Sequence, residues 1–257
     1  MSQLFKILQH YNSSEETFVR NVFHYFEEVS LYEYPKEIGF CDPNELKIVN
    51  DLNGHFNIKI TTNGGYQNAE RTKVMIMPDS YDISPEITIY ELEYNLKFNK
   101  LEHKHIMGAL YNLGINERLI GDIIVSEEGR VQIIISSEMK DTLPMLQERY
   151  ANVPVKYRLI DEITIESKAP KYAIRSSKTK RLDSVCKAVT HNSRSQMSKE
   201  IKKGNVYLNH KQIKDPIKQV EVGDLLSVRG YGRAEIIDII PVNGKFNIKY
   251  MTTNHKK

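Results

Sequence analysis

The stretch Arg181 to Asn209, RLDSVCKAVTHNSRSQMSKEIKKGNVYLN, carries the most specific pattern in the chain. Its first ten residues predict a helix, and His191-Asn192 predicts a short turn after it. Ser193 and Gln196 have the spacing of a capping box, and Gly204 stands where a left-handed C-terminal cap is needed. These signals predict a second helix from Ser193 to Gly204, with a strand directly after it.

The second predicted helix has an apolar side and a cationic side. Met197 and Ile201 fall on one side at helical spacing, which predicts that this side packs on the preceding helix. Arg194 lies at the border between the two sides. The cationic side carries Lys199, Lys202 and Lys203. A rigid helix face with both Arg and Lys suits the phosphate backbone of a nucleic acid, without a choice of sequence.

These residues resemble a known family. The run of Arg181-Leu182-Asp183, Ser193-Arg194-Ser195-Gln196, Gly204-Asn205-Val206, Asn209 and Gly223-Asp224 looks like the S4 RNA-binding domain. Elsewhere, Gly65-Tyr66, Ala69-Glu70-Arg71, Gly108-Ala109-Leu110, Leu113-Gly114-Ile115, Ile120-Gly121-Asp122 and Ser227 to Arg233 resemble the YlmH-type S4-domain proteins of bacteria. The resemblance covers nearly the whole chain.

The resemblance implies a non-catalytic protein that binds structured ribosomal RNA or tRNA on the ribosome, with the large subunit as the expected partner. It further implies a role in rescue or quality control of stalled nascent chains. No cofactor, metal, small-molecule substrate or membrane is expected. Pattern and resemblance together predict these RNA-binding residues: Arg181, Ser193, Arg194, Ser195, Gln196, Lys199, Lys202, Lys203, Asn209, Lys211, Arg229 and Arg233.

Two of these positions allow a structural interpretation as well. Arg181 could pair with Asp183 or Asp224 and serve the fold alone. The glycines between Arg229 and Arg233 could form a tight bend between strands, or a flexible basic contact with RNA, and both interpretations can hold together.

The charge distribution also favours a nucleic-acid partner for the C-terminal part. The 257-residue chain has a formal net charge of +3. Residues 168–257 contain 20 Lys and Arg against 7 Asp and Glu, whereas residues 1–167 contain 16 against 26. A domain with so large a positive surplus repels itself unless a polyanion is present. RNA is the first candidate, and the alternatives are a basic solvated face or a patch for acidic membrane lipids.

The fold class predicted from the sequence is α+β with three domains. Residues 1–83 predict a small α/β domain, residues 84–165 a central domain, and residues 166–257 an αL-type S4 domain with a β extension. The central domain reads βαββαβ, with a second helix over residues 138–149, which is typical of ferredoxin-like and RRM-like folds. Its central strand, Val131 to Ile135, has no aromatic ring, which argues against base stacking by this sheet.

Other motifs favour no catalysis and no cofactor. Arg181-Leu182-Asp183 also resembles the catalytic stretch of pseudouridine synthases, but here it begins the S4 helix. An RNA-modifying enzyme that docks its substrate through the S4 domain remains the alternative function. Asn63-Gly64-Gly65 lacks the Gly-Lys-Ser/Thr ending of a phosphate-binding loop and predicts a hairpin turn. His103 and His105 lie near a helix start, where such a pair is more often solvated or capping than part of a metal site.

The sequence is expected to belong to a cytoplasmic protein. It contains no apolar run long enough to span a membrane, and its N-terminus lacks the order of a secretory signal. Its two cysteines, Cys41 and Cys186, lie far apart and outside any CxxC pair. This spacing argues against a disulfide framework and a zinc site.

Overall fold

A computed structural model of the chain describes residues 3–164 and 171–252. The chain divides into two compact units, and the boundary lies between residues 168 and 169. Both units mix helices with antiparallel sheets, so the protein is α+β.

The N-terminal unit contains five α-helices and nine strands among its described residues. The helices are α1 Gln3–Leu8, α2 Glu16–Tyr32, α3 Pro43–Asn53, α4 His103–Asn112 and α5 Thr142–Leu146. The strands are β1 Lys36–Cys41, β2 Lys59–Asn63, β3 Thr72–Met77, β4 Ile87–Glu93, β5 Ile120–Val125, β6 Val131–Ser136, β7 Arg149–Tyr150, β8 Val153–Pro154 and β9 Lys156–Ile160. Short 3-10 turns lie at Glu117–Leu119 and Ser137–Met139.

The first three strands form a small sheet in the order β1-β3-β2, on which α2 and α3 pack. The fold starts α3 in the way the sequence predicts. The Asp42 carboxylate accepts from the Glu45 N–H at 2.9 Å, and the Glu45 carboxylate accepts from the Asp42 N–H at 3.0 Å. Such a reciprocal capping box satisfies two helix donors that would otherwise lack partners.

The next sheet has the order β5-β6-β4-β9, and all its pairs are antiparallel. One of its faces packs against Ile106 and Leu110 of α4 and Leu143 of α5. On the other face, Ile89 and Ile134 pack against Phe40 of β1. The approach is close, because a Cβ atom on Gly121 would lie 2.6 Å from the Phe40 ring. The first 83 residues and this sheet therefore share a core.

The far part of the same sheet face is polar. The Glu91 carboxylate, whose side chain is 11% exposed, accepts hydrogen bonds from Arg130 and Gln132 and forms an ion pair with Arg158 at 2.9 Å. Burial alone would raise the pKa of Glu91, but the hydrogen bonds and the two guanidinium charges hold it below its ordinary value. This face is thus closed by apolar contacts at one end and by an ionic network at the other.

One sequence prediction in this unit is wrong. The helix predicted over residues 138–149 is only a 3-10 turn and the short α5. Pro144, which has no N–H, is tolerated in the first turn of α5 but would break a helix that started at residue 138. Asn63-Gly64-Gly65 begins the connection between the antiparallel strands β2 and β3, as predicted, and the whole connection is an eight-residue loop from 64 to 71. The Asp122 carboxylate holds this loop, since it accepts from the Glu70 N–H at 2.7 Å and the Arg71 N–H at 3.1 Å.

The C-terminal unit consists of two helices packed on one face of a six-stranded sheet. Its elements are β10 Lys171–Ser177, α6 Leu182–Thr190, α7 Arg194–Lys202, β11 Val206–Leu208, β12 Lys211–Gln212, β13 Leu225–Val228, β14 Gly232–Val242 and β15 Lys245–Thr252. The sheet order is β10-β15-β14-β13-β11-β12. Its core joins Leu182 and Val185 of α6 with Leu226, Ile236 and other inward residues of the strands. The predicted S4 helix pair and following strand are present here.

Candidate nucleic-acid interface

The two helices of the C-terminal unit are joined by a short, well-defined turn. His191 ends α6 in the left-handed conformation, with φ of 61°. The Ser193 hydroxyl then accepts from the Gln196 N–H at 3.1 Å, which caps α7 as the sequence predicts. At the other end, Gly204 has φ of +80° and its N–H donates to the Ile201 carbonyl. Local contacts therefore fix where α7 begins and where it ends.

One side of α7 is part of the core. Met197 and Ile201 are fully buried among Leu182, Val185 and Cys186 of α6. The Thr190 hydroxyl donates to the Cys186 carbonyl at 2.8 Å and contacts the Met197 sulfur at 3.3 Å. Burial of two large side chains stabilises the helix pair by about 3–6 kcal/mol before the costs of ordering are counted. Because the side of α7 with Met197 and Ile201 is buried, the opposite side of the helix faces solvent.

The opposite side of α7 is cationic. Lys199, Lys202 and Lys203 are exposed on that side, and Arg194 is exposed at its border with the apolar side. Lys203 pairs with Glu200 at 3.1 Å, but its side chain is 65% exposed, so this pair contributes little and can be exchanged for a stronger partner. Among the described residues, no carboxylate lies within 4 Å of the amino groups of Lys199 or Lys202. The four cations predicted on this helix are thus all exposed, and that they act together on RNA stays a prediction.

Arg194 and Arg181 meet at one carboxylate. The Oδ2 atom of Asp183 lies 3.1 Å from Nε of Arg194 and 3.0 Å from Nη2 of Arg181. The Asp183 side chain is 4% exposed, whereas those of Arg194 and Arg181 are 47% and 34% exposed. Sequence analysis left open whether Arg181 pairs with Asp183, and this pair exists. The role of Asp183 in holding Arg194 was missed, because an acidic residue in the first helical turn has an ordinary explanation in the helix dipole.

The turn between β13 and β14 adds Arg229 to the end of α7. The Arg229 N–H donates to the carbonyl of Asn205 at 2.9 Å, directly after the helix. Gly230 has φ of +86°, so the tight bend predicted from the glycines is present. Arg229 and Tyr231 are both exposed beside this point. This turn extends the cationic surface of α7.

Other predicted residues lie apart from that surface. Arg233 faces the side of the sheet that points away from the helices, in register with Ser227 of β13 and Tyr207 of β11. Asn209 uses its side chain within the fold, as it donates to Asp224 at 2.8 Å and accepts from the Leu225 N–H at 2.8 Å. Lys211 follows in β12, where it is paired with Leu208 of β11. Ser195 and Gln196 are exposed at the start of α7.

The described residues offer little for metal or redox chemistry. Within 3–164 and 171–252, no group of three or more His, Cys, Asp or Glu residues is placed to hold a metal ion. The Glu102 N–H donates to Nδ1 of His105 at 3.2 Å, so this histidine caps α4 as predicted. Cys41 and Cys186 are buried free thiols, and burial raises the pKa of each to about 12. Across the same ranges, no helix has both the length and the apolar character of a membrane span.

Comparison with known families gives two matches along the chain. Residues 78–163 match the family described as "Putative RNA-binding domain in YlmH". Residues 180–226 match the S4 domain, and this range contains the helix pair and the strands that follow it. The first match coincides with the sheet whose two faces are both covered within the N-terminal unit.

Comparison with individual proteins gives one relative over nearly the full length. "Ribosome-associated protein quality control protein P2" of Bacillus subtilis (strain 168) is 30% identical over 240 residues, which are 91% of this chain and 92% of that protein. A solved structure, "Cell division protein ylmH from Streptococcus pneumoniae", is 22% identical with a TM-score of 0.51, over 59% of this chain and 93% of that chain. At this identity the second likeness concerns the fold alone.

Proposed function

Because this chain belongs to the YlmH family, with a YlmH RNA-binding domain and an S4 domain, we propose that it binds structured RNA on the large ribosomal subunit without catalysing a reaction. The bound RNA is ribosomal RNA, with tRNA as a possible second component of the site. We propose that the protein binds RNA in the cytoplasm and needs no cofactor for this. The RNA backbone is held by the cationic surface of α7 together with Arg229.

One observation carries this proposal. A single short helix buries Met197 and Ile201 completely and exposes four cations on its other side. Since the caps and the buried side fix the helix, the cations do not have to be ordered when RNA binds, and less of the binding free energy is lost. Phosphate contacts of this kind fix position and orientation, and they carry no sequence information.

We further propose that this binding serves quality control of stalled nascent chains. The support is the similarity to the Bacillus subtilis relative, whose name refers to ribosome-associated protein quality control. The similarity extends over both units of the chain, so the proposal concerns the protein as a whole and not the S4 domain alone.

The N-terminal unit is proposed to orient the protein or to contact ribosomal partners. We assign the sheet β5-β6-β4-β9 to the ferredoxin-like arrangement, a proposal supported by its strand order and by the helices between its strands. RRM modules stack bases on the open face of such a sheet. Here Phe40, Ile89 and Ile134 close that face, which supports the prediction that this sheet does not stack bases. The division into residues 1–83, 84–165 and 166–257 stays a prediction.

The proposal is tested by co-sedimentation of the full chain with isolated large ribosomal subunits on a low-salt gradient. The variant Lys199→Glu/Lys202→Glu is compared with the control Lys245→Glu. Lys245 is an exposed residue of the same unit, at the end of the β14–β15 hairpin that is remote from Arg229. We expect the double variant to leave the subunit fraction and the control to remain in it. Equal retention of both variants, or stable binding to small subunits alone, would disprove the proposal.

A further inference from the structure

The buried carboxylate of Asp183 stands in the middle of a surface that is otherwise positively charged. We propose that Asp183 is a positioning residue for RNA binding, which holds Arg194 in the orientation that receives a phosphate and steadies Arg181 beside it. The inference rests on the proposed RNA-binding function and adds to it a residue that does not touch RNA itself.

The position of Asp183 is fixed by the backbone around it. The N–H groups of Leu182 and Asp183 donate to the carbonyls of Lys218 and Pro216, at 2.8 and 3.1 Å. The segment from 215 to 219 therefore lies against the start of α6, and the Asp183 side chain is left 4% exposed. A carboxylate this deeply buried needs positive partners. Arg181 and Arg194 both reach its Oδ2 atom from the more exposed side.

The contact uses only part of the Arg194 guanidinium. Nε, at the inner end of the group, donates to Asp183 at 3.1 Å. No hydrogen bond from Nη1 or Nη2 of Arg194 to another described residue is formed, and the side chain is 47% exposed. A guanidinium has five N–H donors in a planar fork, so the outer donors remain free to bind phosphate oxygens in pairs. Asp183 thus orients the fork without using it up.

Orientation of this kind changes affinity because a free arginine side chain has many rotamers. The entropy of ordering a long side chain at an interface costs about 0.5–1.5 kcal/mol when binding has to supply it. In this protein the ion pair with Asp183 restricts Arg194 before RNA arrives. The sign of the effect separates this idea from simple charge. Removal of a negative charge from a cationic surface should strengthen RNA binding, whereas loss of a positioning group should weaken it.

The test measures filter binding of the full chain to purified large-subunit ribosomal RNA, with the variants Asp183→Asn, Arg194→Ala and the double variant. We expect Asp183→Asn to weaken binding roughly 2- to 10-fold, as expected for one side chain that must be ordered anew. In the Arg194→Ala background the same change should cause a smaller loss than in the wild type, because Asp183 acts mainly through Arg194 and only the effect through Arg181 is left. Unchanged or tighter binding by Asp183→Asn, or losses that simply add, would overturn the proposal.

A second variant covers the case in which Asp183→Asn does not fold, as judged by circular dichroism. Arg194→Lys keeps the charge, but a lysine has one ammonium group, and the nearby carboxylate would take it up. We expect Arg194→Lys to bind as weakly as Arg194→Ala. Wild-type affinity of Arg194→Lys would contradict the positioning role. If the wild-type chain itself does not bind this RNA, the proposed function fails first, and the inference about Asp183 fails with it.

Discussion

The dependence of RNA binding on salt tests how many phosphates the cationic surface neutralises. Five exposed cations are proposed to form this surface: Arg194, Lys199, Lys202, Lys203 and Arg229. If each neutralises one phosphate, the logarithm of the association constant should fall with the logarithm of the salt concentration with a slope of about −4. An increase from 0.1 to 0.3 M monovalent salt would then weaken binding roughly 80-fold.

Replacement of Lys199 and Lys202 by glutamine should make that slope less steep, because two of the five phosphate contacts are lost. The expected slope is about −2.4, and the same increase in salt should weaken binding only about 14-fold. Filter binding or fluorescence anisotropy with purified large-subunit ribosomal RNA, at four or five salt concentrations, measures both slopes. The control Lys245→Gln should keep the wild-type slope. A slope near zero for the wild type, or equal slopes for the double variant and the wild type, would refute the reasoning.

Further predictions concern the fold and the absence of chemistry. Arg118→Ala should lower the free energy of unfolding by about 3 kcal/mol in a denaturant titration, because it leaves the largely buried Glu45 without its bidentate partner. Burial alone would raise the pKa of Glu45, but the hydrogen bonds and the charge of Arg118 lower it by more. The net pKa of Glu45 is therefore below the ordinary 4.5. The stabilising contribution of ionised Glu45 is therefore present above pH 4.5 and is lost as the pH falls through the lowered pKa. The difference in the free energy of unfolding between wild type and Glu45→Gln should become smaller over that fall in pH. Gly204→Ala should cost about 1–2 kcal/mol, because φ is +80° and a side chain is strained in that conformation; wild-type stability would contradict this. Nucleosides of ribosomal RNA incubated with the protein should show unchanged masses, and a new modified nucleoside would favour the enzyme alternative.

The helix pair of the C-terminal unit could be predicted from the sequence because its signals are local. Ser193 and Gly204 each fix one end of α7 through contacts within four residues. The period of Met197 and Ile201 then determines which side is buried. From these few positions the cationic surface follows directly. Turn and strand signals likewise indicated the βαββαβ order of the central elements.

Most of what the sequence does not predict involves contacts between distant residues, whereas the helix over 138–149 fails for a local reason, Pro144. The loop from 64 to 71 depends on Asp122, which lies some fifty positions away in the sequence. Asp183 is placed by carbonyls of the segment near Pro216, and its two arginines reach it from different elements. Arg233 and Arg229 lie close in sequence, yet strand alternation carries Arg233 to the far face of the sheet. Local patterns contain no information about such pairings.

The contact between β1 and the central sheet limits which sequence changes this protein can accept during evolution. At Gly121 even one added methyl group would collide with the ring of Phe40, and Ile89 and Ile134 would meet water if β1 were missing. Replacement of the first 83 residues by an unrelated sequence would expose an apolar surface of the central sheet to solvent. The two parts therefore have to be kept together during evolution. A fragment that starts at residue 84 should precipitate when it is expressed alone.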